Sequence, residues 1–473
     1  MSKKPNILYL MTDQQKASAC SVYGNPHAKC DFMDKIASSG VAFTEAYAPS
    51  SICTPSRTSV FTGVHPLVHQ STCHQNRAPL NLPQLPEILA NNGYYTAVVG
   101  HYEYGRDLNR GWHQQVCEYT SGPLKKAYST WFTEGNSKKA PSYGTLKEPA
   151  ESGHAHAVTD RAIMMLDDII ASDMPFFLHV PYFEPHPPYL THNEYSALLD
   201  SKDLPLPQKG CPENRPSWQS KALKEWGDIS EEDSRKVLAT YYGMIAYAND
   251  EMQRLYDALD ARNMLDNTWI IVSSDHGDYT GEKGLFHKSE SLYECLLHVP
   301  LIIRSPKHVS WPAGTKNREL VDLTDLFPTI LKMAGIEIPE YTQGKDLIEW
   351  IGRNKTEALH DYLFAQVGNY HGFLKNSSRN GGHLESYRHP SLLQGVRNKH
   401  FSYTNDPDYG DEAYNLKTDP KELKNIINTN CKAESLEISE LRKKTRQWEK
   451  ECLELRKELE VIPGHRGFNK GWE

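Results

Sequence analysis

The stretch SICTPSRTSVFTG, residues 51–63, places a cysteine where a helix should begin. Pro55 suits the first turn of a helix and Gly63 its C-terminal cap. Cys53 then stands at the helix N-terminus, where unpaired amides and the helix dipole favour an anion. Arg57 lies one turn along and can reach back toward it. Four roles suit such a cysteine: a buried small hydrophobe, a thiolate nucleophile, a metal ligand, or the precursor of a modified side chain. Further acids and imidazoles fall in short clusters elsewhere. Asp13 and Gln14 follow NILYLMT, Asp275 and His276 lie in SSDHGD (273–278), and His186 lies in EPHPPY (184–189). His101 and Glu103 follow YTAVVG, and Lys288 sits in GEKGLFHKSE.

Most of these clusters trail an apolar run of strand length. NILYLM (6–11), YTAVVG (95–100), PFFLHV (175–180) and TWIIVSS (268–274) are nearly continuous in apolar residues. Such runs mean burial on both faces, as in a parallel sheet covered by helices. Helical patterns over 85–91, 156–171 and 231–265 separate them. The alternation predicts a doubly wound α/β fold with a mostly parallel central sheet. Ligands of such sheets sit beyond the carboxyl ends of the strands, so the clusters can converge there. A helix ending at Gly335 closes this pattern. Beyond it, HDYLFAQV and LLQGVRNKHFSYTND read as half-exposed strands, followed by a charged helix over 433–459. The chain therefore divides into an α/β domain, 1–344, and a smaller C-terminal α+β subdomain, 345–473. The proline- and tryptophan-containing segment 204–226 reads as an insertion or loop.

Composition narrows the class. The 473 residues carry a formal charge of −8, with 38% hydrophobic and 24% charged residues. This is ordinary for a globular protein and argues against a nucleic-acid binder. No run approaches the ~18 apolar residues of a membrane span, so no membrane partner is expected. The start MSKKPNILYLMTDQQ lacks the long apolar region and small-residue cleavage site of a signal peptide, and a cytoplasmic location is expected. Nine cysteines without a CxxC pair suggest neither a zinc ribbon nor a disulfide framework.

CTPSRTSVFTG resembles the Cys-x-Pro-Ser-Arg signature of the type I sulfatases, members of the alkaline-phosphatase-like superfamily. In that family a maturation enzyme oxidises the cysteine to Cα-formylglycine, and the hydrated aldehyde is the nucleophile. One hydroxyl, held on a divalent cation, loses its proton and attacks sulfur; the other lets the sulfated intermediate collapse. The resemblance extends over about residues 5–335. It implies that Asp13, Gln14, Asp275, His276 and the modified Cys53 hold one divalent cation, Ca²⁺ foremost, with Mg²⁺ or Mn²⁺ as alternatives. It further implies that Arg57 and Lys288 hold charge, Lys288 touching the sulfate and leaving-group oxygens. His186 matches the Pro-His-x-Pro histidine, a general acid toward the departing alcohol.

One segment departs from the family pattern. Where the family carries Gly-Lys-x-His, this chain reads GHYE, so His101 replaces the lysine and Glu103 the histidine. Glu103 is then a pairing partner for His101, a base for the hydrate, or a contact for a cationic substrate group. The reading that follows is hydrolysis of a small sulfate ester of a sugar, aryl or alkyl alcohol. Phosphonate monoester or phosphodiester hydrolysis on the same machinery is the alternative, and an inactive ligand-binding homologue is the third class.

Overall fold

The apolar runs do become neighbouring strands, and their side chains sort by parity. A computed structural model describes residues 4–73, 77–102, 110–117, 126, 141–210, 215–226, 229–351, 357–368 and 391–463. In chain order the strands are β1 (Asn6–Thr12), β2 (Val41–Tyr47), β3 (Tyr95–Val99), β4 (Gln114–Val116) and β5 (Tyr143–Leu146). Next come β6 (Phe176–Pro181), β7 (Tyr189–His192), β8 (Thr268–Ser274), β9 (Leu301–Arg304) and β10 (Thr315–Asp322). β11 (Leu363–Gly368), β12 (Leu392–Arg397), β13 (Phe401–Asn405) and β14 (Glu412–Asn415) complete the set. The central sheet has the order β10-β2-β9-β8-β1-β6-β3-β4. β9 is antiparallel to β8 and β2, and the other pairings in that sheet are parallel. β5 and β7 form a separate parallel pair.

Alternate residues of the central strands feed opposite cores. Leu8, Leu10, Leu178, Val180, Ile270 and Val272 pack with the helices His154–Ala171 and Glu231–Asp260. Ile7, Tyr9, Met11, Phe177, Trp269 and Ile271 pack with the helices Leu85–Asn91, Cys53–Thr62 and Leu326–Met333. Helices thus cover both faces, which is why the strands lack polar alternation. Two of these helices differ slightly from the sequence pattern. The 156–171 helix starts two residues earlier, at His154, and the long helix stops at Asp260. Among the described residues no helix is long and apolar enough to cross a membrane.

β11 to β14 form an antiparallel sheet. The expectation of half-exposed strands holds for β13 and is corrected for β11, β12 and β14, which are mostly buried. Leu363, Ala365, Val367 and Leu393 pack on Tyr47, Leu292, Leu297 and Leu320. Val396, Tyr403 and Ala413 pack on Ile438 and Leu441 of the helix Lys432–Glu458. Gly395 permits the close approach: a Cβ there would lie 2.7 Å from Leu292 Cδ1. The segment read as a loop is also corrected in part. Residues Ser217–Trp226 form a helix. Trp218, Ala222 and Trp226 recur every fourth residue, which puts them on one face, and all three are buried.

A partly buried ionic contact joins the two sheets. Arg397 of β12 lies 3.7 Å over the Tyr47 ring and pairs with Glu294, which also contacts His298 Nδ1 at 2.9 Å. Burial alone would raise the Glu294 carboxyl, but Arg397 and His298 outweigh it and hold it at about 2. The Glu294 carboxylate in turn raises His298 against the effect of burial. A lowered carboxylate contributes its full stability above its ordinary value of 4.5 and loses it as pH falls toward about 2. A raised histidine contributes fully below its ordinary 6.5 and loses that as pH climbs through its higher folded value. The stability gap between wild type and Glu294→Gln, measured by urea unfolding, should therefore be widest between pH 4.5 and 6.5 and shrink on both sides. A gap independent of pH would show that the contact is electrostatically idle.

Candidate active site

Strand register performs the first step of positioning. β1 and β8 pair Met11 with Ser273 and Thr12 with Ser274. The next residues, Asp13 and Asp275, therefore leave the sheet side by side. Ser274 Oγ pins the exit by accepting the Gln15 N–H at 2.8 Å. The helix Cys53–Thr62 begins against this pair, and Ser56 Oγ donates to the Asp275 carbonyl at 2.6 Å. Pro55 lies in its first turn. Gly63 ends it at φ 72°, where a Cβ would lie 2.5 Å from Phe327 Cδ1, so both conformation and space require glycine.

Four side chains converge. Ligand atoms of Asp13, Cys53, Asp275 and His276 lie within 4.8 Å of one another, and all four residues are buried. Cys53 Sγ is 3.2 Å from His276 Nε2 and 3.7 Å from Asp13 Oδ1. His276 Nε2 is 3.8 Å from the Oδ1 atoms of both Asp13 and Asp275. Its Nδ1 donates to the Gly277 carbonyl at 2.9 Å, which leaves the lone pair on Nε2. Lys288 Nζ stands 2.6 Å from Cys53 Sγ and 3.2 Å from His276 Nε2.

Arg57 is fully buried and faces the carboxylates. Its Nε donates to Asp275 Oδ2 at 2.8 Å and its Nη2 to Asp13 Oδ2 at 2.7 Å, while Nη1 donates to the His101 carbonyl. The guanidinium thus occupies one oxygen of each carboxylate and leaves the two Oδ1 atoms facing the cluster. Burial and then the Asp275 charge push Asp13 up to about 7, against Lys288 and Arg57. Burial would raise Asp275 as well, but His276, Arg57 and Lys288 hold it at about 2. Burial lowers His276 to about 3, so its imidazole is neutral and in the ligand form.

The donor set fits a hard divalent cation. Two carboxylates, a neutral imidazole and the position of Cys53 surround one point, and an oxygen replacing Sγ would harden the set further. The Gln14 Oε1 atom is buried without a hydrogen-bond partner, an acceptor that a cation would satisfy. Gln14 adopts φ 70°, and its Nε2 donates to Asp278 Oδ2 at 2.6 Å.

Two of the remaining candidates meet at one aromatic ring. His101 is buried, with Nε2 3.7 Å from Asp13 Oδ2, and its ring meets Phe183 edge-on at 4.2 Å. His186 packs on the same Phe183 ring at 4.5 Å, and its Nδ1 donates to the Pro187 carbonyl at 2.6 Å. Phe183 thus joins the two histidines. Glu103 lies outside the described residues. Reasoning from the sequence missed Ser56, Asp278 and Tyr189, although each lies inside a motif quoted for another residue. No residue type marks an orienting hydrogen bond; only the partner's position does.

The sequence model of the Sulfatase family matches residues 5–336, and that of the N-sulphoglucosamine sulphohydrolase C-terminal region matches 281–451. An arylsulfatase of Clostridium perfringens is 28% identical over 468 residues, covering 90% of this chain and 91% of that protein. A phosphonate monoester hydrolase of Silicibacter pomeroyi superposes with a TM-score of 0.78 at 19% identity, covering 94% of each chain. A protein solved with its substrate D-glucosamine-2-N,6-O-disulfate superposes with a TM-score of 0.73 at 20% identity, covering 96% of this chain and 99% of that one. At such identities the two superpositions establish the fold.

The carboxylate clamp yields a stability prediction. Replacing Arg57 by Met keeps much of its volume and leaves two buried carboxylates without their counter-charge. In EDTA, urea unfolding of Arg57→Met should show a loss of about 3–5 kcal/mol. Added Ca²⁺ should recover part of the loss, because a cation held by the two aspartates would relieve the same repulsion. An undiminished stability in EDTA would refute the clamp.

Proposed function

The chain belongs to the sulfatase family and hydrolyses sulfuric esters, and we propose that the cluster at the ends of β1 and β8 is its active centre, with Cys53 matured to formylglycine. The observation that carries this reading is the convergence of Cys53, Asp13, Asp275 and His276 within 4.8 Å, with the Lys288 ammonium 2.6 Å from the Cys53 sulfur. A maturation enzyme supplies the oxidation. The aldehyde hydrate provides one oxygen to attack sulfur and a second to expel sulfate. A divalent cation, when bound, supplies positive charge that acidifies the attacking hydroxyl and screens the ester.

The chain's own residues do the rest. Asp13, Asp275, His276 and Gln14 hold the cation, and Arg57 fixes the two carboxylates without touching the ester. Lys288, beside both Cys53 and His276, meets the sulfuryl oxygens and the oxygen that departs. His186 has Nδ1 engaged by the Pro187 carbonyl, so it delivers a proton to the leaving oxygen through Nε2. His101 braces Asp13 from behind and, through its carbonyl, Arg57. On the sequence reading Glu103 pairs with His101, acts as a base for the hydrate, or binds a cationic substrate group. Together these groups must remove about 8–23 kcal/mol from the barrier, most of it through preorganised positive charge. Ca²⁺ is the cation this reading favours, a sugar, aryl or alkyl sulfate the substrate, and the cytosol the setting.

One observation supports a second reading, hydrolysis of phosphonate monoesters or phosphodiesters. His101 stands where the family carries a sulfate-binding lysine, and it is held against Asp13 instead. Two measurements decide between the readings. Mass analysis of the Cys53 peptide, from a host containing the maturation enzyme, should show sulfur replaced by oxygen with two hydrogens lost. Unmodified cysteine would point to a ligand-binding homologue. On matured enzyme, 4-nitrophenyl sulfate should turn over faster than bis(4-nitrophenyl) phosphate or a phenylphosphonate monoester. A preference of about tenfold or more for either phosphorus ester, or ~1.4 kcal/mol in the barrier, would reverse the order. Cys53→Ala should keep the cation yet lose turnover, and EDTA should abolish turnover until Ca²⁺ is restored.

A further inference from the structure

Asp278, which closes SSDHGD, and Tyr189, which closes EPHPPY, have no part in the chemistry described so far. Both are fully buried. We propose that they form a positioning pair that sets the Gln14 carboxamide and the Lys288 ammonium together, an inference that rests on the metal-centred reading above.

The first branch runs to Gln14. Both oxygens of Asp278 receive donors. Oδ2 accepts Gln14 Nε2–H at 2.6 Å, Oδ1 accepts the Thr280 N–H at 2.6 Å, and the Tyr189 hydroxyl lies 2.9 and 3.0 Å from the two. In its ionised form, a carboxyl with donors at both oxygens only accepts. Gln14 must therefore turn its NH₂ toward Asp278, which sends Oε1 the other way. That oxygen is the buried atom without a hydrogen-bond partner. The Gln14 backbone is held as firmly: its N–H donates to Asp275 Oδ1 at 3.0 Å and its carbonyl accepts the Tyr241 hydroxyl at 2.7 Å. A φ of 70° is unfavourable for a residue with a Cβ and persists where surrounding bonds over-determine it. Asp278 thus decides which atom of Gln14 a cation would meet.

The second branch runs to Lys288. With its proton directed at Asp278, the Tyr189 oxygen is left as an acceptor, and it takes the His287 N–H at 2.9 Å. His287 also has a left-handed backbone, φ 63°. Its carbonyl accepts the Tyr279 N–H at 2.9 Å. Lys288 is the next residue, and its Nζ reaches Cys53. The hydroxyl anchors the unfavourable turn from which the lysine departs. One carboxylate and one phenol therefore link the metal-ligand loop after β1 to the loop that carries the cationic side chain.

A plain structural role for Asp278 would stabilise the fold without this directionality, and a double-mutant cycle separates the two. Ca²⁺ binding to the full chain, measured by equilibrium dialysis, needs neither substrate nor oxidised Cys53. Asp278→Asn presents an NH₂ where a carboxylate stood and should reverse the Gln14 amide. Asp278→Asn should weaken Ca²⁺ about tenfold or more, as outer-shell substitutions at metal sites do, and Gln14→Ala, which removes a ligand oxygen, at least as much. The double variant should be no weaker than Gln14→Ala. Tyr189→Phe keeps the Oδ2 contact to Gln14. It should leave Ca²⁺ affinity within about twofold and lower kcat about tenfold with little change in KM, since Lys288 acts on the transition state. Additive losses in the double variant would overturn the inference. So would native Ca²⁺ affinity in Asp278→Asn, or native kcat in Tyr189→Phe. A wild-type chain that binds no divalent cation would instead sink the metal reading itself, and the Gln14 branch with it. Should Asp278→Asn fail to fold, the Tyr189→Phe comparison still decides the Lys288 branch.

Discussion

Everything at this site depends on keeping two carboxylates side by side in a dry interior. Two negative charges a few ångströms apart repel strongly once water is excluded, and each pays a desolvation cost as well. Asp13 and Asp275 tolerate it because a single guanidinium spans them, one oxygen each. The geometry leaves the repulsion half relieved. Arg57 neutralises the Oδ2 side, and the Oδ1 side still faces inward, toward His276 and Cys53. The clamp thus does two things with one residue: it permits the fold without a cation and reserves the site for one. Lysine could not substitute, since it lacks the planar fork that addresses two acceptors.

The clamp in turn depends on register. A one-residue slip of β8 against β1 would separate the two aspartates and turn the strand's apolar set to the wrong face. The alternating cores above and below the sheet forbid that slip, because Ile7, Tyr9 and Met11 belong to one core and Leu8 and Leu10 to the other. Hydrophobic packing far from the cluster is therefore what fixes the spacing of the two carboxylates. The C-terminal sheet adds to this from the side. Its Leu363, Ala365 and Val367 pack with Tyr47, Leu297 and Ile52, the residue just before the Cys53 helix.

The parts readable from the sequence were those written in local pattern. Continuous apolar runs announced the parallel strands, Pro55 and Gly63 framed the Cys53 helix, and SSDHGD marked the end of β8. What escaped was set by partners distant in the chain. Trp218 looked like part of a loop because its prolines and polar neighbours obscured the helical spacing, yet it is buried beside Tyr293 and donates to Glu412. Arg57 read as a holder of charge, and only the positions of Asp13 and Asp275 show which groups that charge faces. The C-terminal strands read as half-exposed because their alternate residues include Gln366, Gln394 and Arg397, all buried by contacts no local pattern records.

Charge counting connects the clamp to the kind of ester the site can take. With both aspartates ionised, Asp13 and Asp275 are balanced by Arg57 and Lys288, while neutral His276 and Gln14 add nothing. A divalent cation then brings the centre to a formal +2. A monoanionic ester and one deprotonated attacking hydroxyl together carry −2, so the loaded complex closes at neutrality. A dianionic phosphate monoester would leave an excess negative charge buried, at a large cost in low dielectric. The family's lysine at position 101 would shift this balance upward by one; a histidine held against Asp13 leaves it closed when neutral. Among the described residues, a neutral histidine at 101 thus keeps the count matched to a monoanionic ester, whether sulfate or phosphodiester.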